Sequence, residues 1–153
     1  MTYQTIISAE ALSQLSNCII IDCRFSLADT EQGERLYRQG HIPGAFYAHL
    51  DHDLSSAITP ESGRHPLPDF ADLMHKLGQW GISPENQVVV YDDTSGFFAS
   101  RLWWLLRTLG HNAVAVLDGG IQAWEAQGLT LDQSTPAHTQ STFAAAMNTE
   151  TWV

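Results

Sequence analysis

Three uninterrupted apolar runs organise this chain: Ile19-Ile20-Ile21, Val88-Val89-Val90-Tyr91 and Ala113-Val114-Ala115-Val116-Leu117. Each is short, rich in β-branched residues and bounded by polar or glycine-bearing segments. Such runs, without alternation, read as strands buried on both faces, as in a parallel sheet covered by helices. The segments between them carry helical spacing instead. After Pro68, the residues Phe70, Leu73, Leu77 and Trp80 fall on one helical face, with Gly78 and Gly81 near its end. Phe97 to Leu109 predicts a second helix, and Asp118-Gly119-Gly120 leads into a third from Ile121 to Gln127, stopped by Gly128. At the amino end Ser8 can cap a short helix carrying Ala11, Leu12 and Leu15. Asp29 to Gln39 holds a helical turn ending at Gly40, and Gly40-His41-Ile42-Pro43-Gly44 marks a tight bend before a short strand at Phe46 to Ala48. The alternation predicts an open α/β fold, a parallel sheet flanked by helices on both faces.

Two stretches lack periodicity. Asp51 to Pro68 is rich in Ser, Thr, Pro and Gly, and a loop of that length inside a domain is usually functional or interfacial. Asp132 to Ala146 reads as a linker, so the expected division is a domain over residues 1–131 and an interdomain linker, or the start of a second domain, over 132–153. A chain of 153 residues is long enough for a proper core, burying roughly 70% of its unfolded surface. The net charge of −10, with seven Lys and Arg residues, argues against nucleic acid or an anionic membrane as partner. No apolar run approaches the ~18 residues that span a bilayer. The amino end lacks the basic-then-apolar pattern of a secretory signal, and a cytoplasmic location is the expectation.

The stretch from Val88 to Arg107 is the first place to look for chemistry, because it reads as strand, loop and helix. Helix N-termini at strand carboxyl ends favour anions and nucleophiles. Here that position holds Asp92 and Asp93. As a phosphatase nucleophile of the haloacid dehalogenase type, Asp92 would need a second acid where Thr94 stands and a downstream lysine, yet the one lysine is Lys76. As Mg²⁺ ligands the pair would need further carboxylates or a bound phosphate. Cys18 and Cys23, five residues apart along a strand, are expected on opposite faces, which disfavours a disulfide or shared metal. Cys18 to Arg24 fits the Cys-x5-Arg spacing of protein phosphatases, but Ile19-Ile20-Ile21 is strand rather than a phosphate-binding turn. His49, Asp51 and Asp53 would crowd one strand face, without the spread that tetrahedral zinc wants. His41 reads as a hydrogen-bonded turn residue, and Trp103, Trp104 and Trp124 as core or interface aromatics. Arg101 is expected to reach back to Asp92 or Asp22.

Asp22-Cys23-Arg24, Gly40-His41-Ile42-Pro43-Gly44-Ala45, Val88 to Asp92 followed by Arg101-Leu102-Trp103-Trp104, and Leu117-Asp118-Gly119-Gly120-Ile121 with Trp124 occur in the order of the rhodanese family. The chain closely resembles that family from about Ile7 to Leu131. Trp103-Trp104 and the Gly63-Arg64-His65-Pro66-Leu67-Pro68 segment are similar to the amino-terminal domain of tandem sulfurtransferases acting on thiosulfate or 3-mercaptopyruvate. The resemblance implies a rhodanese-like parallel sheet and a catalytic cysteine at a strand end, where converging N–H groups stabilise a thiolate and then a persulfide. Asp92 occupies that position here, which implies a silent first domain supporting a second domain of the same polypeptide. Asp51 and His65 best match an auxiliary Asp and His proposed in mercaptopyruvate sulfurtransferases to assist the second domain's catalytic loop. No cofactor and no metal are implied, and the partner small molecule would be an anionic sulfur donor. Two rivals remain at this point: a stand-alone, non-catalytic rhodanese-like interaction or regulatory module, and an Asp-dependent phosphatase.

Overall fold

In the computed structural model of this chain, residues 3–55, 66–134 and 136 are described. Among the described residues five parallel strands form one sheet: β1 (Ile6–Ile7), β2 (Cys18–Asp22), β3 (Phe46–Tyr47), β4 (Gln87–Tyr91) and β5 (Val114–Leu117), in the order β1-β5-β4-β2-β3. The central pair is in full register, Cys18 opposite Gln87 through Asp22 opposite Tyr91. The three apolar runs are thus the three inner strands, and Val88, Val89, Val90 and Tyr91 are completely buried.

Five helices among the described residues cover both faces: α1 (Ala9–Ser13), α2 (Gln32–Gln39), α3 (Phe70–Gln79), α4 (Ala99–Thr108) and α5 (Gly120–Ala126). Alternation along β4 divides the core. Val88 and Val90 join Leu73 and Leu77 of α3 and Leu102, Leu105 and Leu106 of α4. Val89 and Tyr91 join Leu12 of α1, Tyr37 of α2, and Ile121 and Trp124 of α5. The two cysteines obey the same rule, Cys23 lying in the first cluster and Cys18 against the second.

Local chemistry sets the boundaries. Asp69 caps α3, its carboxylate accepting from the amides of Ala71 (2.9 Å) and Asp72 (3.1 Å). Ser8 caps α1 through the Ala11 amide, as its sequence position suggests. α4 starts two residues later than Phe97, because residues 94–98 are spent turning around Asp92. The edge strand β1 is absent from the hydropathy pattern, since two residues are too few to carry a period. Among the described residues no helix is long and apolar enough to cross a membrane.

Candidate functional site

The chain leaves β2 for β3 on one side and returns to β4 on the other, so the carboxyl ends of β2 and β4 flank the point where the winding reverses. In open α/β sheets that crevice is where ligands bind. Asp22-Cys23-Arg24 stands at one lip and Asp92-Asp93 at the other.

The Asp92 carboxylate is fully buried and accepts four backbone N–H bonds. One oxygen takes the amides of Thr94 (2.9 Å) and Gly96 (2.8 Å), the other those of Phe98 and Ala99, both at 2.8 Å. Ser95 (φ 60°) and Gly96 (φ 86°) both take the left-handed conformation, which folds the loop back so that its amides converge. The last two donors belong to the start of α4, whose own N-cap residue, Phe98, offers no capping side chain. Asp92 is therefore the cap of α4, delivered from the strand end. Its backbone carbonyl is held as well, accepting the Ile121 amide of α5 at 3.1 Å. Gly120 makes that approach possible, for a Cβ there would lie 2.3 Å from the Asp92 carbonyl oxygen.

The opposite lip is built from side chains. Asp22 is fully buried and paired with Arg24, whose Nε and Nη2 approach its Oδ2 at 2.9 and 2.6 Å, while Tyr91 Oη donates to the same oxygen at 2.9 Å. Burial pushes the Asp22 carboxyl up against the pull of Arg24 and Tyr91. Arg24 also donates to Gly40 O at 2.7 Å. Neighbouring Asp93 is half-buried and likewise shifted up, by burial first and by Asp92, with Arg24 opposing. Between the lips opens a cavity of about 350 Å³ lined by Phe25, Ser26, Gln32, Asp93, Thr94 and Phe98 among others. Leu27 and Phe97 stand exposed nearby in the same two loops, at 50% and 71%.

Other candidates fall elsewhere. Asp51 is half-buried on a separate cavity of about 470 Å³, with His52, Asp53, Asp69 and Asp72. His65 lies outside the described residues. Arg101 does not reach Asp92 or Asp22; it donates to Leu54 O (2.9 Å) and Pro66 O (2.8 Å) instead. The reason is that Asp92 sits ahead of the helix and Asp22 is already held by Arg24, so Arg101 on the flank of α4 ties Leu54 to Pro66 instead. Cys23 is buried, and burial foremost, then Asp22, Asp92 and Asp53, push its thiol well up. It is no activated nucleophile. Trp103 is half-buried against the core and Trp124 is buried, both with satisfied N–H groups, on Gln4 O and Val114 O for the first and Thr130 O for the second.

One cluster escaped the sequence pattern, because it joins two segments. Glu31 Oε1 lies 3.6 Å from His49 Nε2 and 3.8 Å from His52 Nε2. The Nδ1 atom of His49 accepts the amides of Asp51 (3.1 Å) and His52 (3.4 Å), which places its hydrogen on Nε2, facing Glu31. With that nitrogen protonated, the ring offers no lone pair to an ion there.

The fold and crevice define an α/β domain with an anion-holding loop at the strand reversal. A rhodanese-like domain model matches residues 8–127, and this chain belongs to that family. A Pseudomonas aeruginosa protein named "Probable 3-mercaptopyruvate sulfurtransferase" is 51% identical over 115 residues, covering 74% of this chain and 40% of the relative. The thiosulfate sulfurtransferase of Rattus norvegicus is 30% identical over 131 residues, 84% of this chain and 43% of that one. Among solved structures, the 3-mercaptopyruvate sulfurtransferase from Leishmania major superposes with a TM-score of 0.83 at 32% identity, covering 95% of this chain and 42% of the other. The chain thus spans less than half the length of each of these relatives.

Proposed function

We propose that this chain is the amino-terminal half of a two-domain sulfurtransferase, supporting a second domain that carries the cysteine and transferring no sulfur by itself. The observation that carries the reading is the occupation of Asp92. Its four amide donors form the kind of cradle that would lower a thiol pKa and hold a persulfide's charge. A carboxylate uses the same donors, so the anion position is filled from within the chain. A carboxylate does not relay sulfane sulfur, and buried Cys23 does not replace it. In the whole enzyme, a small anionic donor such as thiosulfate or 3-mercaptopyruvate would load the second domain's cysteine as a persulfide, and cyanide or a thiol would accept the sulfur. Asp51 and His65 are the auxiliary pair, the carboxylate orienting the imidazole and the imidazole handling a proton for that domain. The exposed Leu27 and Phe97 beside the crevice suit burial against such a neighbour.

The test is a sulfur-transfer assay on this chain beside a polypeptide extended to the full length of its relatives. Only the longer one is expected to turn over, and Asp51→Asn or His65→Asn in it should lower kcat with the fold intact. An extended polypeptide that transfers no sulfur would favour a non-catalytic interaction module.

A further inference from the structure

The cavity of about 470 Å³ beside α3 shares no lining residue with the crevice. Its walls carry the carboxylates of Asp51, Asp53, Asp69 and Asp72 against the ammonium of Lys76. Two of these carboxylates are partly engaged. Asp53 accepts the His49 amide on Oδ2 at 2.8 Å and has Lys76 Nζ 3.4 Å from Oδ1, while Asp69 gives Oδ1 to the first amides of α3. That cap also offsets the positive end of the helix, which would otherwise oppose a cation. Asp72, exposed in the first turn, adds a further negative charge. Acidic side chains on a surface are ordinary by themselves, and what sets this cavity apart is Ser55.

Ser55 lines the same cavity, is 8% exposed, and its Oγ meets no hydrogen-bond partner among the described residues. A hydroxyl buried without a partner costs the folded state stability. The turn that presents it is tethered at several points. The Asp53 and Leu54 amides donate to His49 O at 2.8 and 3.2 Å, and Leu54 O accepts from Arg101 Nε at 2.9 Å.

The spread of the carboxylates selects the kind of cation. A metal ion draws its ligands into one coordination sphere. Among the described residues the one group of three that comes close enough is Glu31, His49 and His52, which includes none of these carboxylates. Charges distributed along a wall suit a ligand whose own charges are separated, and Pro68 and Leu73 offer apolar surface to the chain between them. Lys76 shows the contact in miniature, an alkyl stem ending in an ammonium beside Asp53. We propose that this cavity binds a small organic dication of the diamine class, one ammonium donating to Ser55 Oγ and the two charges shared among the Asp51, Asp69 and Asp72 carboxylates. The inference depends on no assumption about sulfur transfer.

The experiment is isothermal titration calorimetry of putrescine into the 153-residue chain, with butylamine, magnesium chloride and sodium chloride at equal ionic strength as the other arms. Putrescine should saturate a single site with a Kd of about 1 mM or below. Butylamine, with one charge, should bind about fivefold more weakly, and the two salts should give no saturable heat. Asp72→Asn should weaken putrescine binding about threefold, as for one exposed ion pair, and Ser55→Ala about tenfold, as for a hydrogen bond to a charged group. In the free protein Ser55→Ala should raise the melting midpoint, because an unpartnered buried hydroxyl is gone. Affinity lost while stability is gained marks a residue kept for a ligand. Putrescine heat no larger than that of sodium chloride, equal binding of butylamine or magnesium, or undiminished affinity in Ser55→Ala overturns the proposal; should Ser55→Ala not fold, undiminished affinity in Asp72→Asn does so.

Discussion

The two lips of the crevice solve the same problem by different means. Asp22 ends β2, Asp92 directly follows β4, and both are fully buried. Asp22 is satisfied by the side chains of Arg24 and Tyr91 as well as the Arg24 amide, Asp92 by backbone amides alone. A side-chain partner is specific to its residue, because a guanidinium left without its carboxylate becomes an uncompensated buried charge. Four converging amides belong to the loop, whatever anion sits in them. The β2 end is thus a structural ion pair, while the β4 end is a cradle of backbone amides filled by the chain's own carboxylate.

The largest test of this contrast is Asp22→Ala, which strands Arg24 and should lower unfolding stability by about 4 kcal/mol in urea titrations. Adding Arg24→Met should recover part of the loss, since no buried charge is then left unpaired. Asp92→Ala should cost somewhat less, about 3 kcal/mol, because water entering the space the carboxylate vacates satisfies part of the four amides it leaves. Here the contrast sharpens. Sulfate or thiosulfate should raise the melting midpoint of Asp92→Ala above that in chloride of equal ionic strength, by binding the folded form only. The Asp22→Ala protein should show no such selectivity, and equal rescue of both variants would erase the distinction.

Smaller effects follow from the packing around Asp92. Gly120→Ala should destabilise by about 2 kcal/mol, since a Cβ at φ 63° meets the Asp92 carbonyl at 2.3 Å and the residue becomes strained. The least effect is on thiol chemistry. Burial keeps Cys23 protonated near pH 8, so alkylation followed by mass spectrometry should label it only on unfolding, with half-buried Cys18 reacting first.

Much of this arrangement is legible in the chain. The runs at Ile19, Val88 and Val114 announce the inner strands, and the strand-end positions of Asp22 and Asp92 follow directly. What surrounds those carboxylates is not legible. The convergence of amides on Asp92 depends on Ser95 and Gly96 adopting positive φ, which no hydropathy pattern encodes. The Arg101 guanidinium meets Leu54 O and Pro66 O rather than Asp92 or Asp22, because helical spacing gives a residue's face but not what lies across from it. Contacts such as His49 with Glu31, or His41 with Ser134, join residues 18 and 93 positions apart and exist only once the sheet is ordered.

The most direct measurement is the mass of the 153-residue chain after incubation with thiosulfate or 3-mercaptopyruvate, with thiocyanate assayed after adding cyanide. With Asp92 filling the cradle, the mass should stay unchanged and no thiocyanate should form. Persulfide loading and thiocyanate release that survive Cys23→Ser would contradict the proposal that Asp92 silently occupies the place of a sulfur-transferring cysteine.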